Sequence, residues 1–139
     1  MVILDTNVVS QLMDSEPDPP VLQWLDRQSW TSLWTTSITI LEIRYGLIIM
    51  AGSRRRAQRE AAFDRLIEEN FENRVLQFDN TAAEETAVLM GARRRTGRMG
   101  DLRDTMIAGI ALAQRATLAT RNVRHFDDLS VPVVNPWHT

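Results

Sequence analysis

The sequence predicts an α/β fold in three layers, α/β/α, with a central and mainly parallel sheet. Short apolar runs typical of strands alternate with longer segments of helical periodicity through most of the chain. Several helices have recognisable caps or glycine stops. Polar side chains follow directly after apolar runs, where the sites of parallel sheets form. These three observations favour a sheet with helices on both faces.

The first half of the chain contains two predicted strands. They are Val2–Leu4 and Leu33–Ser37. The predicted helices are Val8–Met13 after the polar Thr6-Asn7, Val21–Gln28, a helix capped by Thr39, and a polar helix from about Ser53 to Asn70. The segment Asp14–Pro20 is a predicted loop, because it carries three prolines and three acids.

The second half continues the same alternation. Its predicted strands are Arg74–Phe78, Thr117–Thr120 and Val131–Val134. A helix from about Thr81 to Arg95 is expected to stop at Gly97, and a helix from about Leu102 to Arg115 has Asp101 placed to cap it. No repeat or linker interrupts this order, so the organisation indicated is one domain over residues 1–139.

The composition is that of an ordinary globular protein, with 44% hydrophobic and 24% charged residues. There is no cysteine, which excludes disulfides, thiolate zinc sites and a cysteine nucleophile. The start of the chain lacks the features of a signal peptide, and no stretch reaches the roughly 20 apolar residues of a membrane span. We therefore expect a soluble, cytoplasmic protein without membrane contact.

The net charge of -2 does not by itself indicate a nucleic-acid partner. All 16 basic residues are arginine, a preference that base composition of the genome can explain. Phosphate binding would have to come from local arginine clusters or from metal ions.

Four oxygen-bearing side chains lie where strands are expected to end. Asp5 follows the first strand and Asn122 follows the fourth, while Glu42 and Asp104 each lie about one turn into a helix. One pocket at the carboxyl edge of the sheet could collect them. Hard oxygen ligands without a nearby histidine suit Mg²⁺ or Mn²⁺ and disfavour zinc.

Each acid also has a structural explanation. Asp5 could cap the following helix through the N–H groups of Asn7 and Val8. Glu42 could pair with Arg44 or Arg121, and Asp104 could belong to a helix-start arrangement with Asp101. Spacing alone leaves these alternatives open.

Four segments in order resemble the motifs of VapC-type PIN-domain toxins. They are Ile3–Asn7, Ser37–Gly46, Asp104–Ala108 and Ala119–Asn122. The ending Val134–His138 is similar to the FitB-like branch of the same family. The resemblance covers essentially the whole chain at appropriate spacings.

The resemblance implies a metal-dependent endoribonuclease that is the toxin of a type II toxin-antitoxin system. On it, Asp5, Glu42 and Asp104 match the catalytic, metal-binding acids, and Thr6 matches a hydroxyl residue that organises the pocket and its substrate. Asn122 stands where the family often has aspartate. It can offer a carbonyl oxygen to Mg²⁺ or Mn²⁺ but no charge.

The substrate and partners also follow from the resemblance. RNA is the expected substrate, with Arg121 beside the pocket as a phosphate contact; the clusters Arg54–Arg56 with Arg59 and Arg93–Arg95 with Arg98 are either further RNA contacts or solvated helix faces. The expected partners are a VapB/FitA-like antitoxin, a second copy of the chain, and DNA only through the antitoxin. For the homodimer interface we expect apolar helix residues around Trp24, Trp30 and Ile48–Met50.

Two alternative functions are judged on different residues. A haloacid-dehalogenase-like phosphatase would need an aspartate two residues after Asp5, and that position is Asn7. A catalytically weak PIN subunit of a DNA-bound toxin-antitoxin repressor complex is the other alternative, because Asn122 reduces the charge of the pocket.

Overall fold

The computed structural model describes residues 1–138, so Thr139 of the predicted domain lies outside the described residues. Five strands and six α-helices alternate along it. The strands are β1 Val2–Leu4, β2 Leu33–Thr36, β3 Val75–Leu76, β4 Thr117–Ala119 and β5 Val133–Val134. The helices are α1 Thr6–Met13, α2 Pro19–Asp26, α3 Ser37–Ile49, α4 Arg54–Arg65, α5 Asn80–Arg95 and α6 Leu102–Gln114. Short 3₁₀ turns cover Trp30–Ser32 and Val123–Phe126, and a π-helical turn, Leu66–Asn70, extends α4.

The strands form one sheet in the order β3-β2-β1-β4-β5, and every pairing is parallel. The chain builds outward from β1 to β2 and β3, then crosses to the other side of β1 for β4 and β5. The order therefore reverses between β1 and β4. Such a switch point opens a crevice at the carboxyl ends of the two strands, where ligands of open α/β sheets bind.

Each face of the sheet is covered by its own apolar cluster. Along β1, Leu4 packs with residues of α1, α2 and α4, including Val9, Val21 and Phe63. Ile3 points to the opposite face. The cluster there is formed mainly by α5, α6 and β4, with Ile107, Ile110, Leu118 and Phe126 fully or almost fully buried. The predicted three-layer α/β/α class is confirmed.

Local hydrogen bonds explain where the helices begin. Asp101 caps α6 as predicted, and its carboxylate accepts from the backbone N–H of Asp104 at 3.1 Å. The predicted Thr39 cap is wrong. The Thr36 hydroxyl accepts from the Thr39 N–H at 3.1 Å, so β2 ends at Thr36 and α3 begins at Ser37. The capping hydroxyl lies three residues before the donor, as in other N-caps.

The structure also bears on the expected dimer interface and on membrane spans. Trp24 is buried, with 6% of its surface exposed, so it is not available to a dimer interface as expected. It packs instead in the cluster under α1 and α2. Within residues 1–138, no helix combines the length and the apolar character needed to cross a membrane.

Helices α5 and α6 cross closely because Gly109 has no side chain. A Cβ atom at this position would overlap the Thr86 hydroxyl and lie 2.8 Å from the Ala82 carbonyl oxygen. Thr86 is held there, since its hydroxyl donates to that same carbonyl at 2.7 Å. The close crossing fixes α6, which carries Asp104, against the sheet.

We expect Gly109→Ala to destabilise the protein by about 2 kcal/mol, because the added methyl group forces α5 and α6 apart. Gly46→Ala is the matched control. Gly46 also lies within a helix, but no neighbouring group of the described chain lies within 4 Å of its Cβ position, so alanine there should stabilise by up to about 1 kcal/mol. Urea unfolding measures both changes. Equal effects of the two substitutions would contradict the crossing geometry.

Candidate functional site

Asp5 lies buried at the switch point, with 5% of its surface exposed. Its backbone N–H donates to the Ala119 carbonyl at 3.1 Å, which joins the ends of β1 and β4. One carboxylate oxygen accepts from the Val8 N–H at 3.2 Å and the other from the Thr120 hydroxyl. The predicted cap of α1 is therefore confirmed, and the same carboxylate also faces the end of β4.

Burial raises the pKa of the Asp5 carboxyl from 3.8 to about 6. The hydrogen bonds from Thr120 and Val8 oppose this rise, and the nearby charge of Asp104 adds to it. A nearby positive charge would stabilise the ionised form of Asp5. A bound cation would supply this charge and would also reduce the repulsion between Asp5 and Asp104.

Asp104 lies in the first turn of α6, and its side chain is 29% exposed. Burial raises its pKa, and the negative charge of Asp101 acts in the same direction. His125 opposes the shift, with its Nδ1 atom 3.5 Å from the Asp104 carboxylate. Asp104 and Asp101 are thus the predicted helix-start pair, and Asp104 in addition lies close enough to Asp5 for their charges to interact.

Glu42 lies on α3 beside the hydroxyl of Thr6. Thr6 donates to a Glu42 carboxylate oxygen at 2.7 Å and lies 3.1 Å from the Thr39 hydroxyl. The expected alternative pairing of Glu42 with Arg44 or Arg121 is wrong, because Arg44 pairs with Asp64 and Arg121 stacks on Trp137. The basic group that approaches Glu42 within residues 1–138 is Arg103, 3.9 Å away.

Asn122 follows β4 as predicted, and its side chain is exposed. Its backbone N–H donates to the Thr120 hydroxyl at 3.0 Å, and that hydroxyl donates to Asp5. Thr120, which is fully buried, therefore connects Asn122 to the first acid. This hydroxyl was not singled out from the sequence, although it lies within the Ala119–Asn122 motif.

Half of the arginines in the two predicted clusters form ion pairs, namely Arg56, Arg59, Arg93 and Arg98. Arg93 is buried, with 3% of its surface exposed, so the expectation that it follows RNA phosphates is wrong. In the other cluster Arg56 pairs with Glu60 at 2.8 Å and Arg59 with Asp14 at 2.9 Å. Within the described part of the chain, the exposed members without an acidic partner are Arg54, Arg55, Arg94 and Arg95.

Arg93 stabilises the part of the site formed by His125 and the start of α6. Its guanidinium forms a bidentate salt bridge with Asp128, with both N–O distances 2.9 Å, and this pairing lowers the pKa of Asp128. It also donates to the His125 carbonyl at 2.7 Å and to the Thr105 hydroxyl at 3.2 Å. Arg93 thereby holds the 3₁₀ turn that carries His125 against the start of α6. Neither Arg93 nor His125 was identified as part of the site from the sequence.

The donor set fits a hard divalent cation at Asp5 and Asp104. Within residues 1–138, no group of three or more acids or histidines is arranged to hold a metal ion, and Glu42 accepts a hydrogen bond from Thr6. Magnesium is commonly held by only one or two carboxylates and completes its shell with water and substrate phosphate. Two neighbouring carboxylates, both with raised pKa, match that requirement.

Cavities open beside Glu42 and beside the turn that carries His125. A mainly apolar cavity of about 240 Å³ runs between α1 and α3 from Thr6 and Glu42 to Met50. A polar cavity of about 460 Å³ lies beside that turn, along Arg121 to His125 and Asn135. A larger one, about 500 Å³, lies between α1 and α4, away from Asp5 and Asp104. Asp104 lines a smaller cavity of about 130 Å³ that shares Arg124 and His125 with the polar one. Glu42 therefore borders the apolar cavity, and Asp104 is connected to the basic one.

The fold and the acids at its switch point agree with the comparison to known families. A family model described as PIN domain matches residues 2–131. The chain belongs to the PIN-domain family.

Three relatives are similar to this chain over almost its whole length. The chain is 36% identical over 137 residues to the Plasmid stability protein StbB of Pseudomonas syringae pv. tomato, covering 99% of both chains. It is 35% identical over 137 residues to the VapC ribonuclease Y4jK of Sinorhizobium fredii, covering 99% of this chain and 98% of the relative. It is 30% identical over 138 residues to Toxin FitB of Neisseria gonorrhoeae, covering 99% of both. The predicted resemblance to VapC and FitB proteins is confirmed.

A solved structure matches the whole fold. The structure of FitAB bound to an IR36 DNA fragment superimposes with a TM-score of 0.91 at 29% identity. The match covers 100% of this chain and 97% of the other.

The raised pKa of Asp5 predicts a specific pH dependence of stability. Between about pH 4 and pH 6 the folded protein binds more protons at this residue than the unfolded chain, so the free energy of unfolding falls as pH rises through this window. Asp5→Asn removes this pH-dependent loss of stability. With a chelator present, the free energy of unfolding of the variant minus that of the wild type should increase by roughly 2–3 kcal/mol between about pH 4 and pH 8.

Urea unfolding at the two pH values measures this gain. Asp26→Asn, which removes an exposed carboxylate on α2, is the control and should show no such gain. A wild-type stability that rises from about pH 4 to pH 8 as much as that of Asp5→Asn would contradict the burial of an uncompensated carboxylate.

Proposed function

We propose that the protein is the toxin of a type II toxin-antitoxin system and acts as a divalent-metal-dependent endoribonuclease. The observation that carries this proposal is the buried Asp5 carboxylate beside Asp104 at the sheet switch point of a PIN domain. Its relatives named VapC ribonuclease and Toxin FitB support the choice of activity. RNA is the proposed substrate, and hydrolysis of its phosphodiester bonds the proposed reaction.

Asp5 and Asp104 would hold Mg²⁺ or Mn²⁺. When bound, the cation would supply Lewis acidity at the phosphodiester and make a water molecule easier to deprotonate. Asp5 is kept in place for this task by Val8 and Thr120, which hold its two oxygens. Asn122 could add a neutral carbonyl oxygen, so a second cation would be held less tightly than by an aspartate there.

Glu42 has a different proposed role. Thr6 donates to one of its oxygens at 2.7 Å, and the other oxygen, 3.9 Å from Arg103, would orient an attacking water. Arg103 would help to draw the RNA phosphate toward the site. Glu42 therefore acts as an orienting or accepting group whether or not it contacts the cation.

An antitoxin of the VapB/FitA type is the proposed inhibitor. The apolar cavity between α1 and α3 begins at Thr6 and Glu42, so a peptide lying in it would end at Glu42. A basic side chain on that peptide could extend past Glu42 and pair with the acids in place of the cation. DNA would be contacted through the antitoxin, and the solved FitAB complex, which is bound to a DNA fragment, supports a DNA-bound assembly of this kind.

A second copy of the chain is the proposed dimer partner. Helix α3 exposes Leu41, Tyr45 and Ile48 at a spacing that places them on one face, with exposed fractions between 52% and 65%. The neighbouring Ile49 is also 65% exposed. The expected contribution of Ile48–Met50 to a homodimer stays a proposal, now extended toward Leu41.

We expect Asp104→Asn to lower the rate of RNA cleavage by at least about 100-fold, because it removes half of the carboxylate pair. The assay uses purified protein, a labelled RNA and a Mg²⁺ or Mn²⁺ titration. Asp26→Asn is the matched control and should cleave at the wild-type rate. If wild type shows no metal-dependent cleavage, the alternative of a catalytically weak subunit in a DNA-bound repressor complex is favoured.

A further inference from the structure

We propose that the basic cavity beside β4 and β5 is the site that holds the RNA strand next to the cleaved bond, with Arg121 and Arg124 as its phosphate contacts. The proposal rests on the proposed ribonuclease function. It adds the side of the site from which the strand enters and the residues that hold it.

Two lining residues of the cavity connect it to the acids of the site. On one side Asn122, which lines it, is joined through the Thr120 hydroxyl to Asp5. On the other side His125, which also lines it, lies 3.5 Å from Asp104. Asp104 itself lines a smaller cavity of about 130 Å³ that shares Arg124 and His125 with this one, so a ligand in the basic cavity can extend to Asp104 past these two residues. The volume of the basic cavity, about 460 Å³, is within the range of small-ligand sites.

Arg121 is an exposed guanidinium held in position without an acidic partner among residues 1–138. It stacks on Trp137, with its central carbon 5.0 Å from the ring centroid. Trp137 is itself fixed, because its indole N–H donates to Asp18 at 2.8 Å and its backbone N–H to Asn135 at 2.9 Å. One face of the guanidinium is covered by the ring, while its N–H donors stay available to a phosphate.

Arg124 adds a second exposed charge to the same cavity. Its backbone is held by Arg98, which donates to the Arg124 carbonyl, and no ion pair engages its own guanidinium within the described residues. Two arginines, two asparagines and two histidines make this lining polar and basic. Positive grooves with aromatic support are how proteins bind single-stranded nucleic acid.

The cavity beside Glu42 has the wrong chemistry for a polyanion. Its lining is mainly apolar, it includes the carboxylate of Glu42, and its arginine, Arg59, is paired with Asp14 at 2.9 Å. An RNA strand that reaches Asp5 and Asp104 is therefore expected to continue over the β4 and β5 side. The apolar cavity stays free for a protein segment.

The test compares two double variants that remove the same charge. Arg121→Gln/Arg124→Gln changes the cavity, and Arg94→Gln/Arg95→Gln changes exposed arginines at the end of α5. Both are made in an Asp5→Asn background, so that bound RNA is not cut. Fluorescence anisotropy with a labelled single-stranded RNA is measured over a series of salt concentrations.

The cavity variant should bind the RNA at least about tenfold more weakly. The slope of log affinity against log salt should become shallower by about 1.4, since roughly 0.7 is lost for each phosphate contact to a single strand. The α5 variant should keep both values near those of the background protein. Trp137→Leu, which frees Arg121 but keeps its charge, should weaken binding with little change of slope.

Binding and cleavage are read separately. With wild-type Asp5 restored, the cavity variant should lose kcat/KM in proportion to its loss of affinity. Equal weakening by the two double variants, or no weakening by the cavity variant, would overturn the proposed strand site even if the enzyme cleaves RNA. Loss of binding confined to the cavity variant would support the site even if cleavage of RNA were absent and the proposed function had failed.

Discussion

The carboxylate of Asp5 is buried where the strand order of the sheet reverses, and the arrangement of the site follows from that burial. The end of β1 places it there, α1 begins on one of its oxygens, and Thr120 at the end of β4 holds the other. Burying a charge with hydrogen bonds but without a counter-charge is unfavourable, as its pKa of about 6 indicates. We propose that the protein retains this unfavourable burial because a cation would bind to Asp5 beside Asp104.

The positions of the main acids could be predicted from the sequence because they depend on local order. An apolar run followed by Asp5 places a carboxylate at the edge of a parallel sheet, and the spacing of Asp101 to Asp104 indicates a helix start. The strand and helix order follows from periodicity in the same way. The exact start of α3 could not be predicted, since Thr36 and Thr39 are both capable caps and only the end of β2 decides between them.

The contacts that organise the acids could not be predicted, because they join residues distant in sequence. Arg93 looked like one of several exposed arginines, yet it pairs with Asp128 and holds the turn of His125. Trp137 was only part of the Val134–His138 motif in the sequence, yet it is anchored by Asp18 and supports Arg121. Each pairing depends on how α5, the 3₁₀ turn and the last segment pack against one another. The periodicity of a single element does not predict that packing. The result is an apolar cavity beside Glu42 and a basic cavity beside His125.

The central claim is that Asp5 and Asp104 together bind a divalent cation, and Mn²⁺ binding to the purified protein tests it most directly. Isothermal titration above about pH 6, where Asp5 is ionised, should show saturable binding to the wild type. Asp5→Asn should weaken this binding by at least about tenfold, as expected for loss of a direct ligand, while Asp26→Asn should leave it unchanged. Equal Mn²⁺ affinity of the wild type and Asp5→Asn would contradict the account.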